Sequence, residues 1–179
     1  MSDICLNDKK FVKYISEAEI DKAISRVADQ INEEYKNDTP ILIIVLNGAI
    51  VFGVDLLKKL KIQCRVTCIR VSSYDGTQST AHVKNLIGLA ENLENQRVLI
   101  IEDIIDSGTT YEYLLNMLKD QHVKDLKIAT MTYKPDSYKK PYPIHFYGIK
   151  IPNKFIVGRG LDYNGLGRNY PDIYQVVEE

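Results

Sequence analysis

The sequence predicts an α/β fold: a parallel, twisted sheet flanked by helices, with a small loop-rich hood. Three observations carry this. The run 41–46, ILIIVL, is short, β-branched and apolar throughout, as a strand buried on both faces of a parallel sheet must be. A second apolar run, RVLIIED at 97–103, ends in carboxylates and is followed by a small, hydroxyl-rich turn. Helical spacing recurs around these runs, and a strand–helix–strand succession implies right-handed βαβ crossovers.

Taken in order, Ser16-x-x-Glu19 can form a capping box, and Ile20, Ile24, Val27, Ile31 and Tyr35 follow at helical spacing, so 17–36 should be helix. The strand 41–46 comes next. A turn at NGA then opens a helix to about Leu60. IQCRVTCIRVSSY alternates as a strand, whereas DGTQSTAHVKN, 75–85, is polar and weakly anchored, a candidate mobile loop. NLIGLAENL reads as strand and turn, 97–103 as strand, TTYEYLLNMLKDQ as helix and DLKIATMTYK as strand. The last third is rich in proline and tyrosine, and the hood is expected from the N-terminal segment and roughly 140–179 of one 179-residue domain.

A formal charge of −1, with 26% charged and 45% hydrophobic residues, gives no general attraction to polyanions, so nucleic acid is not an expected partner. The longest apolar stretch is interrupted by Asn47, Gly48, Gly53 and Asp55, and the first ten residues lack a signal-peptide core. No membrane association and a cytoplasmic location are expected. Three cysteines, Cys5, Cys64 and Cys68, make no disulfide framework, and His82, His122 and His145 are too far away in sequence to complete a zinc site with them.

Ligands of open α/β sheets sit beyond the C-terminal strand ends. There the chain gathers Glu102, Asp103 and Asp106, followed by Ser107, Gly108, Thr109 and Thr110. The turn and the N–H groups of the following helix can cradle a phosphate. The acids would repel a bare phosphate, so the ligand must also carry groups that carboxylates welcome: sugar hydroxyls, or a divalent cation. A phosphorylated ribose with Mg²⁺ meets both demands.

VLIIEDIIDSGTT resembles the phosphoribosyl-pyrophosphate motif of type I phosphoribosyltransferases. LNGA at 46–49, SSY at 72–74, YKP at 133–135 and KFIVGRGLDYNGLGR at 154–168 resemble its hypoxanthine-guanine branch, in the family's order. The resemblance implies transfer of 5-phosphoribose to N9 of a 6-oxopurine, hypoxanthine and guanine in purine salvage, giving IMP or GMP and pyrophosphate. It also implies Mg²⁺ as cofactor and a homodimer or homotetramer. Glu102 and Asp103 would hold the ribose hydroxyls directly or through Mg²⁺, residues Asp106 to Thr110 the 5′-phosphate, and Asp106 would serve as general acid/base at purine N7. Lys134 would donate to O6, Phe155 would stack on the ring, and the Ile156 backbone would meet its N1–C2 edge. Asp162 would lie at the purine site and coordinate a second Mg²⁺, and Arg168 would contact pyrophosphate. Asn47 and Gly48 would receive pyrophosphate through backbone N–H groups, with a cis peptide between Leu46 and Asn47. The family often has lysine at Asn47, which leaves only the backbone role there. Ser73 and Tyr74 match a Ser-Tyr pair in a loop that closes over the reacting centre.

Rival readings fit less well. A phosphoaspartate protein would want its nucleophilic Asp at the strand end, whereas the acid nearest the cradle already lies in the turn. A nucleic-acid-binding regulator lacks an added basic region. A dinucleotide oxidoreductase lacks the third glycine, since Gly158-x-Gly160 is followed by Tyr163 at that place.

Overall fold

A computed structural model describes residues 3–74, 82–87, 89 and 91–177; of 72–74 and 82–87 only the backbone is described. In chain order the elements are β1 (Ile4–Leu6), β2 (Lys9–Ile15), α1 (Glu17–Glu34), β3 (Ile41–Leu46), α2 (Ile50–Leu57), β4 (Arg65–Tyr74), β5 (His82–Ile87), β6 (Arg97–Ile105), α3 (Thr109–Lys119), β7 (Asp125–Tyr133), β8 (Phe146–Lys150), β9 (Ile156–Val157) and β10 (Ile173–Val176).

Helix α1 starts where the capping box requires. Ser16 Oγ accepts from the Glu19 N–H, and the Ser16 N–H donates to Glu19 Oε2 at 2.9 Å. Its buried face is Ile20, Ile24, Val27 and Ile31, closed by the fully buried Tyr35 ring, on which the Arg97 guanidinium lies. In β3, Ile41 to Val45 are at most 4% exposed. Each such side chain contributes about 1.5–3 kcal/mol of burial, and this is why the strand has no polar face.

The main sheet has the order β5-β4-β3-β6-β7-β8, with five parallel strands and β5 antiparallel at one edge. From β3 the chain crosses through α2 to β4 on one side; from β6 it crosses through α3 to β7 on the other. Right-handed crossovers in opposite directions put α2 and α3 on opposite faces. The reversal of strand order falls between β3 and β6. A second sheet, β1-β2-β10-β9, is antiparallel and carries its own small core of Leu6, Phe11, Val157 and Tyr174.

Several expected boundaries move. Residues 75–81 of the candidate mobile loop lie outside the described residues, but its end, from His82, belongs to β5, whose backbone pairs with β4. The α2 helix stops at Leu57, and β4 begins at Arg65 rather than Ile62. The hood expected from roughly 140–179 is too wide. Phe146–Lys150 pairs in parallel with β7 and so belongs to the main sheet, leaving β1, β2, β9 and β10 for the smaller one. Among the described residues no helix is long and apolar enough to cross a membrane.

Candidate active site

The strands β3 and β6 part at the point of reversal. Their last paired residues are Ile44 and Ile101, while β3 continues against β4 as far as Leu46 and Arg70. Leu46 to Gly48 lie on one side of this parting and Glu102 and Asp103 on the other, with Gly48 against the Asp103 carboxylate. The Leu46–Asn47 peptide is cis, as the motif implied. A Cβ on Gly48 would come within 1.5 Å of Asp103 Oδ2, so only glycine lets this loop approach the carboxylate.

Glu102 is buried, and its Oε2 has no hydrogen-bond partner among the described residues. Burial, and then the charge of Asp103, hold its carboxyl well above the ordinary glutamate range. Burial also raises Asp103, opposed by a hydrogen bond from Glu102, by the Ile104 N–H donating to Oδ1 at 2.7 Å and by the charge of Arg168. Thr132 Oγ1 donates to the Asp103 carbonyl oxygen at 3.1 Å and fixes its backbone. Two adjoining carboxyl groups, Glu102 buried with an orphan oxygen and Asp103 half-buried, fit a hard divalent cation that takes its remaining oxygens from ligand and water. No three His, Cys, Asp or Glu side chains among the described residues gather as a metal group.

Strand β6 runs two residues beyond the acids, to Ile105, and the turn DSGTT begins there. Gly108, at φ +82°, is the residue before α3 and has no side chain to cap it; the Thr109 N–H reaches Ser107 Oγ at 3.4 Å, and the first-turn N–H groups after it are available to a ligand. Ser107 Oγ and Thr109 Oγ1 lie 3.0 Å apart over the turn. The connection after β7 packs alongside. Its Lys134, 5% exposed, places Nζ 2.7 Å from Asp106 Oδ2, while the Asp106 side chain is 45% exposed and open to a ligand. Further on, the Tyr138 ring lies where a Cβ on Gly108 would be, and Lys140 pairs with Glu112 at 2.6 Å.

The smaller sheet reaches the crevice through the segment 158–168. Gly160 lies against the Gly48 carbonyl oxygen, and Arg168 donates to the Gly160 carbonyl at 2.6 Å. Phe155 is 46% exposed beside Phe11 and Tyr163, an aromatic face free on one side, and Ile156 is a buried residue of β9. Asp162 does not join Glu102 and Asp103: Arg168 Nη2 holds one of its oxygens at 2.6 Å and the Gly165 N–H the other at 2.7 Å. The backbone of Ser73 and Tyr74 ends β4, and their side chains lie outside the described residues.

Sequence reasoning missed Arg159, Thr132 and the Lys140–Glu112 pair. Arg159 sits at φ +51°, 6% exposed, with Asp21 at 2.5 Å, Asp55 at 2.9 Å, Glu17 at 3.2 Å and the Pro171 carbonyl oxygen at 3.3 Å. It ties the segment before Arg168 to α1 and α2. Its only sequence signal is a long cation set between two glycines.

Residues 15–164 match the sequence model of the phosphoribosyl transferase domain. The chain is 39% identical over 160 residues to a hypoxanthine-guanine phosphoribosyltransferase of Bacillus subtilis, covering 89% of both chains. It is 39% identical over 170 residues to a hypoxanthine-guanine-xanthine phosphoribosyltransferase of Tritrichomonas foetus, covering 94% of this chain and 92% of that one. The crystal structure of a hypoxanthine-guanine phosphoribosyltransferase from Bacillus anthracis superposes with a TM-score of 0.87 at 34% identity, over 92% of this chain and 98% of that one. With the crevice at the strand reversal, the acid pair and the glycine-led helix start all in place, the chain belongs to the phosphoribosyltransferase family, in its hypoxanthine-guanine branch.

Proposed function

We propose that this chain transfers 5-phosphoribose from 5-phosphoribosyl 1-pyrophosphate to N9 of hypoxanthine and guanine in purine salvage, yielding IMP or GMP and pyrophosphate. The observation that carries this reading is the Lys134–Asp106 pair, 2.7 Å apart between the acid-lined crevice and the open start of α3. In the reaction the N9–C1′ bond forms, the C1′–O bond to pyrophosphate breaks, and the purine gives up one proton.

The ribose 5′-phosphate takes the N–H groups and hydroxyls of Ser107 to Thr110, while its 2′- and 3′-hydroxyls donate to the carboxyl groups of Glu102 and Asp103. The pyrophosphate lies toward Asn47, Gly48 and Arg168, whose planar donor fork suits phosphate oxygens. Asp106 takes the purine proton at N7, a role its half-exposed carboxylate can fill from within hydrogen-bond reach. Lys134 donates to O6. A 6-amino purine offers a donor there instead of an acceptor, so adenine is rejected. Phe155 stacks on the ring, and the Ile156 backbone meets its N1–C2 edge.

The family uses a divalent metal with its pyrophosphate donor, and Glu102 and Asp103 would hold such an ion here, Mg²⁺ being the one their oxygens suit. When bound, it neutralises donor oxygens and charge on the leaving pyrophosphate. Asp162 would have to release Arg168 to serve a second ion. Ser73 and Tyr74 close over the reacting centre and keep water from the ribose. The protein acts in the cytoplasm as a homodimer or homotetramer.

The test is a spectrophotometric assay of hypoxanthine, guanine, xanthine and adenine with donor and Mg²⁺. Hypoxanthine and guanine should be consumed and adenine left unchanged. Turnover of adenine at a comparable rate, or of no base at all, overturns the reading.

A further inference from the structure

One loop delivers a lysine to the start of the DSGTT turn and another to the first turn of the helix that follows it. Lys134 meets Asp106 at 2.7 Å and Lys140 meets Glu112 at 2.6 Å, so the segment 134–140 runs beside 106–112 with an ion pair at either end. The first pair serves the purine. The second has no part in the reaction as described so far.

Lys140 reaches the phosphate cradle from a fixed base. The Tyr138 ring and the Lys140 stem both press on Gly108, where an added Cβ would meet Lys140 Cγ at 3.1 Å. Tyr138 donates to the Tyr142 carbonyl oxygen at 2.8 Å, and Tyr142 packs edge-on against Tyr111 of α3. Beyond this base the ammonium is free to turn: the Lys140 and Glu112 side chains are 32% and 34% exposed. An ion pair this open adds little to fold stability. Its position matters more, because Glu112 lies in the first turn of α3. A lone carboxylate there would repel the phosphate that the same turn must receive.

We propose that Lys140 is a phosphate-binding residue, which neutralises Glu112 in the free protein and extends its ammonium to the donor's 5′-phosphate on binding. A lysine suits this because its compact charge and three donors on a flexible stem can serve two acceptors in turn. The proposal rests on the phosphoribosyl reading above and adds to it a cation that residues 98–110 of this chain do not supply.

The experiment measures ribose 5-phosphate binding by calorimetry and donor KM by assay, on the full chain and on Lys140→Met, Lys140→Arg and Glu112→Gln. Lys140→Met should weaken ribose 5-phosphate and raise donor KM about tenfold, the worth of one charged contact to phosphate. Lys140→Arg should stay within about twofold, since it keeps the charge. Glu112→Gln should tighten binding by about two- to fivefold, because the repelling charge is gone and the ammonium is released. A purely structural pair predicts the opposite sign for Glu112→Gln, so weakened binding in that variant overturns the proposal, as does unchanged affinity in Lys140→Met. Either result with normal turnover leaves the transferase reading standing. The expected order of affinities without purine turnover in the unaltered chain upholds Lys140 and overturns that reading instead.

Discussion

Two buried charge clusters lie on either side of the Gly48–Gly160 contact, and they are built on opposite plans. Around Arg159 the fold supplies counter-charge in excess: three carboxylates and a carbonyl oxygen surround one guanidinium. At Glu102 and Asp103 the two carboxyl groups adjoin each other, with the charge of Arg168 acting on Asp103, and Glu102 Oε2, like Arg159 Nε, has no hydrogen-bond partner among the described residues. Burial opposes ionisation of Glu102, and a cation or ligand that completes the acid pair would favour it. The compensated cluster holds the molecule together, and the uncompensated one is where a ligand is due. Asp106 stands between the two, paired with Lys134 yet half exposed, a carboxylate whose partner a ligand can share.

The largest effect should come from that intermediate case. Asp106→Asn removes the proposed proton acceptor but little packing, so kcat should fall about 10³-fold, near 4 kcal/mol of barrier, with donor KM held within about twofold. Stability should be almost unchanged by urea titration. A loss of stability matching the loss of rate would make Asp106 a structural charge like Arg159.

Next is Arg159→Met, which leaves Glu17, Asp21 and Asp55 facing an aliphatic chain. Breaking a buried pair costs about 3–5 kcal/mol, and because Glu17 and Asp21 are about half exposed the lower end applies, about 3 kcal/mol by urea denaturation. A loss below about 1 kcal/mol would place the cluster among surface ion pairs and erase the contrast. Glu102→Gln should move the other way. The neutral isostere removes a carboxyl whose ionisation the fold opposes, so at neutral pH the free protein should gain about 1–2 kcal/mol while donor KM rises about tenfold. A destabilised Glu102→Gln would mean that the carboxyl is already satisfied within the fold.

How much of this was readable from the sequence follows from the range of each interaction. The capping box of α1 spans three residues and β3 is apolar at every position, so both were placed from local signals. Two acids in a row read as the end of strand β6 at Asp103; Ile104 and Ile105 continue it by pairing with Thr132 and Tyr133, which only the sheet reveals. Strand β8 hides among prolines and tyrosines because its one partner strand, β7, decides it. At the site, the acid–turn motif is contiguous and was legible. Arg159 was not, since its carboxylate partners in α1 lie 138 and 142 residues away, nor was Lys140, whose partner lies 28 residues back. Asp162 was matched to a metal by motif, whereas its nearest cation in the fold is Arg168.

The smallest effect extends the contrast to a group kept neutral. His145 Nδ1 accepts the Ile128 N–H at 3.2 Å, which requires that nitrogen to be unprotonated. Burial, and then the charge of Lys127, lower its pKa, against weaker pulls from Asp125 and Glu34. The unfolded chain therefore binds a proton near pH 6.5 that the folded chain resists. The stability this group contributes is present above pH 6.5 and is lost as pH falls through its lower folded value. Between pH 7 and 5 the urea midpoint of the unaltered chain should thus fall more steeply than that of His145→Asn, which keeps an acceptor without a titrating ring. Parallel slopes would show that the imidazole titrates alike in both states, and that the β7–β8 edge, unlike the Arg159 cluster, holds its polar group without regard to charge.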